Sequence, residues 1–292
     1  MVSLSPELYP FQENFFTCSE GHQLHYVDEG PKDGPIILMV HGNPSWSFLY
    51  RDVIKDLSSK YRCIAIDHLG CGKSAQPLEG PYDLAHHISR LGQLVKHLDL
   101  KNITLLLHDW GGAIGMGMAN NYPDRIKAIS LFNTAAFTDT RIPRRIALCR
   151  WPVLGPFLNL CLNAFARGAT VMALPKGARM SAKVKSGFLY PYSTARQRRA
   201  INAFVQDIPM GPTHPTWSTL KNVEEGLSKF SNHPVKIFWG EQDFCFNTHF
   251  YERWKKVWPH AETDLFSDGG HYLLETHAKK VSEALDSWMT KN

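Results

Sequence analysis

The sequence predicts an α/β fold: a mostly parallel, twisted sheet flanked by helices, with an inserted helical cap. Two observations carry this. Short apolar runs alternate with stretches of helical periodicity, the pattern of strand–helix–strand units with both sheet faces covered. The alternation then stops after Phe137 and resumes at Val235.

In chain order, residues 15–18 and 23–28 predict an antiparallel hairpin at one edge. "IILMVH" (36–41) and "CIAID" (63–67) are continuous apolar runs, as strands buried on both faces require. Helical periodicity covers 47–58 and 84–98. "ITLLLH" (103–108) is a further buried strand, followed by a helix over 111–122. Strands at 126–132, 235–240 and 262–266 and helices at 248–257 and 276–289 complete the pattern.

Between 138 and 225 no buried-strand run occurs. Helical segments there are interrupted by Pro143, Pro152, Pro156 and Pro175. Composition shifts in the same place: thirteen Lys or Arg stand against four Asp or Glu. The division is therefore a main domain, 1–137 and 226–292, and a helical cap domain, 138–225. A basic cap reads as a solvated face, or as a surface for an anionic substrate, partner or membrane.

The whole chain, 292 residues with 43% hydrophobic content and a net charge of +5, has ample material for a core. No basic arm or nucleic-acid motif accompanies the mild charge, and no nucleic-acid partner is expected. The start, "MVSLSPELYPF", has neither the basic opening nor the apolar segment of a signal peptide. Six scattered cysteines without a CxxC pair read as reduced, buried thiols of a cytoplasmic protein. The longest charge-free apolar stretch, 153–166, is shorter than the ~20 residues of a membrane span. It reads as a buried or interfacial helix, so self-association or peripheral membrane contact through the cap stays open.

The chemistry concentrates in "LLLHDWGGAIG" (105–115). Strand, sharp turn and helix are the layout of a nucleophile elbow, with Asp109 at its tip. A carboxylate is ionised at neutral pH without a helper base. Against an acyl carbon it would form an anhydride, whereas against a saturated carbon with a leaving group it forms an ordinary ester. Asp109 also fits a plain helix N-cap. "HGNPSW" (41–46) follows a strand and can supply backbone N–H groups for an oxyanion hole, with the Asn43 amide turned to a leaving group; it also fits a simple Asn-Pro turn. Trp110 carries one N–H donor and no acceptor, which suits a departing anion or an ordinary core position. His271, in "SDGGHYLLE", falls after the last strand, where a general base for water belongs. The acid that orients it comes from "WGEQDFCF": Asp243 is favoured and Glu241 is the alternative. The earlier strand end offers only Asn133.

Two patterns resemble sites without being them. "GCGKS" (70–74) lacks the first glycine of a phosphate loop, Asp67 standing in its place. "HQLH" (22–25) and His86-His87 have no supporting carboxylates, and no metal site is expected.

With HGNPSWSFLYR, DHLGCGKS, HDWGG, WGEQD and DGGHYLLE in place, the chain resembles the haloalkane dehalogenases of the α/β-hydrolase superfamily, in the subgroup with an Asp–His–Asp triad and an Asn–Trp halide pair. The resemblance implies Asp109 as nucleophile, His271 as base, Asp243 as its partner, and Asn43 and Trp110 as halide ligands and as backbone donors of the oxyanion hole. It implies no cofactor, a halogenated alkane as substrate, and halide as product. "FNTAAF", "FNAFARGA", "YPYST" and "FVQDIPM" resemble equally the β-lactone decarboxylases of bacterial olefin synthesis, which would use the same five residues on an alkyl β-lactone. Leu107, two before the nucleophile, departs from the small residue usual there. Epoxide hydrolases also carry Asp on the elbow but rely on two cap tyrosines, for which Tyr190 and Tyr192 are the candidates. A non-catalytic ligand receptor on the same fold is the remaining reading.

Overall fold

The computed structural model describes residues 4–292; residues 1–3, the first part of the stretch read for a signal peptide, lie outside the described residues. Its strands are β1 (Asn14–Thr17), β2 (Gln23–Glu29), β3 (Ile36–Val40), β4 (Arg62–Ile66), β5 (Ile103–Asp109), β6 (Ile126–Thr134), β7 (Val235–Gly240) and β8 (Glu262–Phe266). They form one sheet in the order β1-β2-β4-β3-β5-β6-β7-β8. The β1–β2 and β2–β4 pairs are antiparallel, and the rest are parallel. This is the edge hairpin followed by a parallel sheet that the apolar runs predict.

The central strands β3 and β5 are largely apolar because each feeds two cores. Successive side chains point to opposite faces. Leu38, Val40, Leu105 and Leu107 enter one core, which the helices α2 (Leu84–His97) and α3 (Trp110–Asn121) cover. Ile37, Met39 and Leu106 enter the other, which α1 (Arg51–Leu57) and the C-terminal helix, Leu274–Lys291, cover. Full burial of such a side chain contributes roughly 1.5–3 kcal/mol, so both faces must stay covered.

Between β6 and β7 the described chain is helix and loop: α4 (Arg144–Arg150), a single turn α5 (Leu154–Pro156), α6 (Ala164–Met172), α7 (Ala182–Leu189), α8 (Arg199–Gln206) and α9 (Trp217–Gly226). After β7 come α10 (Thr248–Val257) and α11 (Leu274–Lys291), the latter with a non-helical residue at His277.

Two expectations need correction. The 153–166 stretch is not one helix. Val153 and Asn163 both have positive φ, and a π turn, Phe157–Cys161, fills the space between them. The six cysteines are unpaired, but Cys161 is exposed and Cys149 and Cys245 are half-buried, so the thiols are not all interior. Among the described residues no helix is long and apolar enough to cross a membrane.

Candidate active site

Parallel strands bring their C-terminal ends to one edge of the sheet, where α/β proteins hold ligands. Asp109 ends β5, Asn43 follows β3, Asp243 follows β7, and His271 follows β8. All four are buried.

The turn at Asp109 is sharp. Its backbone lies at φ 55 and ψ −127, a conformation that costs a non-glycine residue of order 1–3 kcal/mol. No side-chain cap hydrogen bond is made to α3, so the carboxylate is not used as an N-cap. Oδ1 instead accepts the Asn43 backbone N–H at 2.6 Å, and the neighbouring Trp110 backbone N–H favours the ionised carboxylate. Gly42 is required beside it, because a Cβ there would strike the Asp109 side chain. The Thr134 hydroxyl donates to the Asp109 carbonyl oxygen and ties the elbow to β6.

Asp109 Oδ2 lies 3.6 Å from His271 Nε2, too far for a direct hydrogen bond. On the other side of the ring, His271 Nδ1–H donates to Asp243 Oδ2 at 2.7 Å. That bond fixes the tautomer and leaves Nε2 as the nitrogen facing Asp109. The Cys245 N–H donates to the other Asp243 oxygen at 2.6 Å. Glu241 is exposed and Asn133 hooks Gly240 through both amide atoms, so Asp243 is the residue brought to the imidazole.

The electrostatics follow from burial and from the two carboxylates. Burial raises the Asp109 carboxyl; the His271 ring and the two backbone N–H donors offset part of this, and the net shift is upward. For His271 burial acts downward, but Asp243 and then Asp109 outweigh it, and the imidazole is raised.

Trp110 lines the pocket above Asp109, and its indole N–H donates to no group among the described residues. The Asn43 amide N–H2 donates to the Ile201 carbonyl of α8 at 3.2 Å and keeps a second hydrogen, while its Oδ1 is buried without a partner. The rest of the pocket is mostly apolar, walled by Ile142, Ile146, Phe165, Val205, Leu220 and Phe246, with Asp139 and Arg141 as further charged lining residues. Its volume is about 120 Å³, close to the ~150 Å³ of an apolar cavity that takes benzene.

Several supporting residues carry no sequence signal. His108 Nε2–H donates to the His271 carbonyl at 2.9 Å, and the Phe246 ring stacks on the His271 ring at 5.8 Å. Asp67 is the hub of the loop that resembles a phosphate site. It accepts from Lys73 N–H, from the Ser47 N–H that ends the oxyanion loop, and from His25 Nδ1 at 2.8 Å. The only hint in the sequence was its position at a strand end. Tyr190 and Tyr192 do not line the pocket. Tyr192 is buried, with its hydroxyl on the Ser45 carbonyl, and Tyr190 is exposed. Among the described residues no group of three His, Cys, Asp or Glu could hold a metal ion.

A family model described as the alpha/beta hydrolase fold matches residues 35–278. The cis-3-alkyl-4-alkyloxetan-2-one decarboxylase of Shewanella oneidensis is 40% identical over 97% of this chain and 90% of its own. Haloalkane dehalogenase 2 of Mycobacterium bovis is 46% identical over 96% of both chains. Among solved structures, haloalkane dehalogenase DbeA from Bradyrhizobium elkani superposes with a TM-score of 0.87 at 21% identity, over 96% of this chain and 98% of that one. At that identity the likeness is one of fold.

Proposed function

The chain belongs to the α/β-hydrolase fold family, and from that premise we propose that it is a haloalkane dehalogenase. It cleaves carbon–halogen bonds through an aspartyl-alkyl ester. One observation carries this reading: Asp109 has Oδ1 held by the Asn43 backbone N–H and Oδ2 turned to His271, under an unpartnered indole N–H.

Asp109 Oδ2 attacks the saturated carbon from the side opposite the halogen. The new C–O bond forms as the halide leaves with its electron pair, received by the Trp110 indole N–H and the free Asn43 amide hydrogen. Esterification removes the Asp109 charge. Since that charge helps raise the His271 pKa, the imidazole becomes easier to hold neutral just when a base is needed. His271 Nε2 then takes a proton from water, and the hydroxide adds to the ester carbonyl. The resulting oxyanion lies on Oδ1, which the Asn43 backbone N–H already holds. Collapse frees the alcohol and restores the carboxylate; halide and proton depart. Residues 138–225 act as the cap over this site. The partners are a small apolar substrate and the halide ion, and six unpaired thiols suit a cytoplasmic location.

A second reading is favoured by the relatives: decarboxylases from Shewanella oneidensis and Xanthomonas campestris match 97% of the chain at 40% and 36% identity. Here Asp109 attacks the sp³ ring carbon of a β-lactone, and the ring oxygen leaves as a carboxylate toward Trp110 and Asn43. Loss of CO2 forms the alkene as the Asp109–carbon bond breaks, and no water is consumed.

Incubation of purified protein with 1-bromohexane and, separately, with a cis-dialkyl β-lactone tests both. Bromide without alkene supports the dehalogenase, and alkene with negligible bromide moves the assignment to the decarboxylase. In His271→Ala given bromohexane, we expect an alkyl mass increment on Asp109. Activity unchanged in Asp109→Ala overturns both readings.

A further inference from the structure

The helical insert faces two ways. Ile142, Pro143 and Ile146 at the start of α4 line the Asp109 pocket. Past the end of α4, about 10 Å further along the helix axis, the chain forms a tight knuckle, Trp151-Pro152-Val153-Leu154. The Leu154 N–H donates to the Pro152 carbonyl and the Gly155 N–H to the Trp151 carbonyl, both at 2.7 Å. Val153 holds a φ of 65, a region that disfavours a β-branched residue. The knuckle aims apolar side chains at solvent: Val153 is 85% exposed, Trp151 63% and Phe157 51%. A contiguous cluster of this kind marks an interaction surface.

The surrounding charge is of one sign. Between Thr140 and Gln206 stand twelve Lys or Arg and no Asp or Glu. Among the described residues Lys183 alone of these pairs with a carboxylate, Glu7 at 3.4 Å. Arg144 and Arg145, on the helix that leads into the knuckle, are exposed.

We propose that this knuckle docks the protein on an anionic lipid bilayer. Trp151, Val153 and Phe157 enter the boundary between headgroups and acyl chains, and Arg144 and Arg145 meet the headgroups. Trp and Phe on one side with Arg on the other are the composition of an interfacial anchor. A second copy of the chain is a poorer occupant, because a two-fold contact sets the same arginines against each other. Docking places the apolar wall of the pocket close to the layer in which an apolar substrate dissolves. The docking itself does not depend on the reaction proposed above.

Flotation of the full-length protein with phosphatidylcholine vesicles, with and without phosphatidylglycerol, tests this. We expect binding that requires phosphatidylglycerol and weakens in high salt. Arg144→Gln with Arg145→Gln should weaken it about fivefold per charge removed. Trp151→Glu with Val153→Glu should weaken it about tenfold or more, while thermal midpoint and turnover of a short water-soluble substrate stay unchanged. Absence of phosphatidylglycerol-dependent flotation, or its survival in the glutamate variant, overturns the proposal. So does a dimer in sedimentation velocity that the same substitutions abolish while flotation is absent.

Discussion

His271 stands between two carboxylates that act on it at different stages. Asp243 is bonded to it throughout, whereas Asp109 loses its charge once it carries the substrate carbon. The two chemical steps should therefore have separate pH limits. Alkylation needs ionised Asp109, whose pKa lies above the ordinary aspartate value because of burial. Its rate falls as pH drops through that raised value. Hydrolysis needs neutral His271, so its rate also falls toward acid, with a limit set by the imidazole. Asp243→Asn removes a charge and a charge-assisted bond that both favour the protonated ring. We expect the hydrolysis limit to move to lower pH, the alkylation limit to move less because burial rather than the Asp243 charge is the main cause of the Asp109 shift, and the hydrolysis rate to fall roughly 10²–10⁴-fold. Single-turnover kinetics across pH separates the two steps. A hydrolysis limit unmoved in the variant would exclude Asp243 as the partner that sets the basicity of His271.

At the scale of elements, the elbow depends on how β5 packs under α3. Leu107 occupies a position where a small residue is usual, and the helix accommodates it through Gly115. A Cβ at 115 would strike the Leu107 side chain. Gly115→Ala should overpack this contact and destabilise the fold by about 1–3 kcal/mol. Combined with Leu107→Ala, the second truncation should recover part of that loss, read as non-additivity in urea unfolding. Strict additivity would mean the two residues do not couple. This pair also indicates what the sequence makes legible. Leu107 was recognisable as unusual, but Gly115 as its compensation was not, since it lies eight residues away and on another element. The central strands were legible because burial on both faces demands continuous apolar runs. The structure extends β5 to Asp109 and β6 to Thr134, one and two residues past the apolar runs. The insert was less legible: prolines at 143, 152 and 156 break its periodicity, and Asn163 starts α6 from a left-handed residue. Asp109, Asn43, Asp243 and His271 could be singled out because each stands at or after a strand end. Thr134, His108 and Asp67 act through space on backbone groups, and no spacing in the sequence announces that.

At the scale of the whole molecule, the helical insert is tied to the sheet domain by many polar links, and one of them is a carboxyl with a raised pKa. Asp207, just after α8, accepts the Leu84 N–H at the start of α2 at 2.9 Å and is bonded by the Thr216 hydroxyl. Burial raises its pKa to about 6; the Thr216 and Leu84 hydrogen bonds offset part of the rise, and the Asp83 charge adds to it. In the unfolded chain the group titrates near ~3.9. Below that value it is protonated in both states. Between about 4 and 6 the folded protein binds more protons than the unfolded one, so stability falls as pH rises. Above 6 the cost levels off at about 3 kcal/mol, taking ~1.4 kcal/mol per unit. Asp207→Asn removes the ionisation but turns one acceptor into a donor facing Leu84 N–H or the Thr216 hydroxyl, a loss of about 1 kcal/mol. The two effects have opposite sign and only one depends on pH. We therefore expect the asparagine variant to melt below the native protein near pH 3.5 and above it near pH 7.5, with the crossing between. A difference in thermal midpoint that is the same at both pH values would show that Asp207 carries no raised pKa, and that the insert is anchored without an ionisation cost.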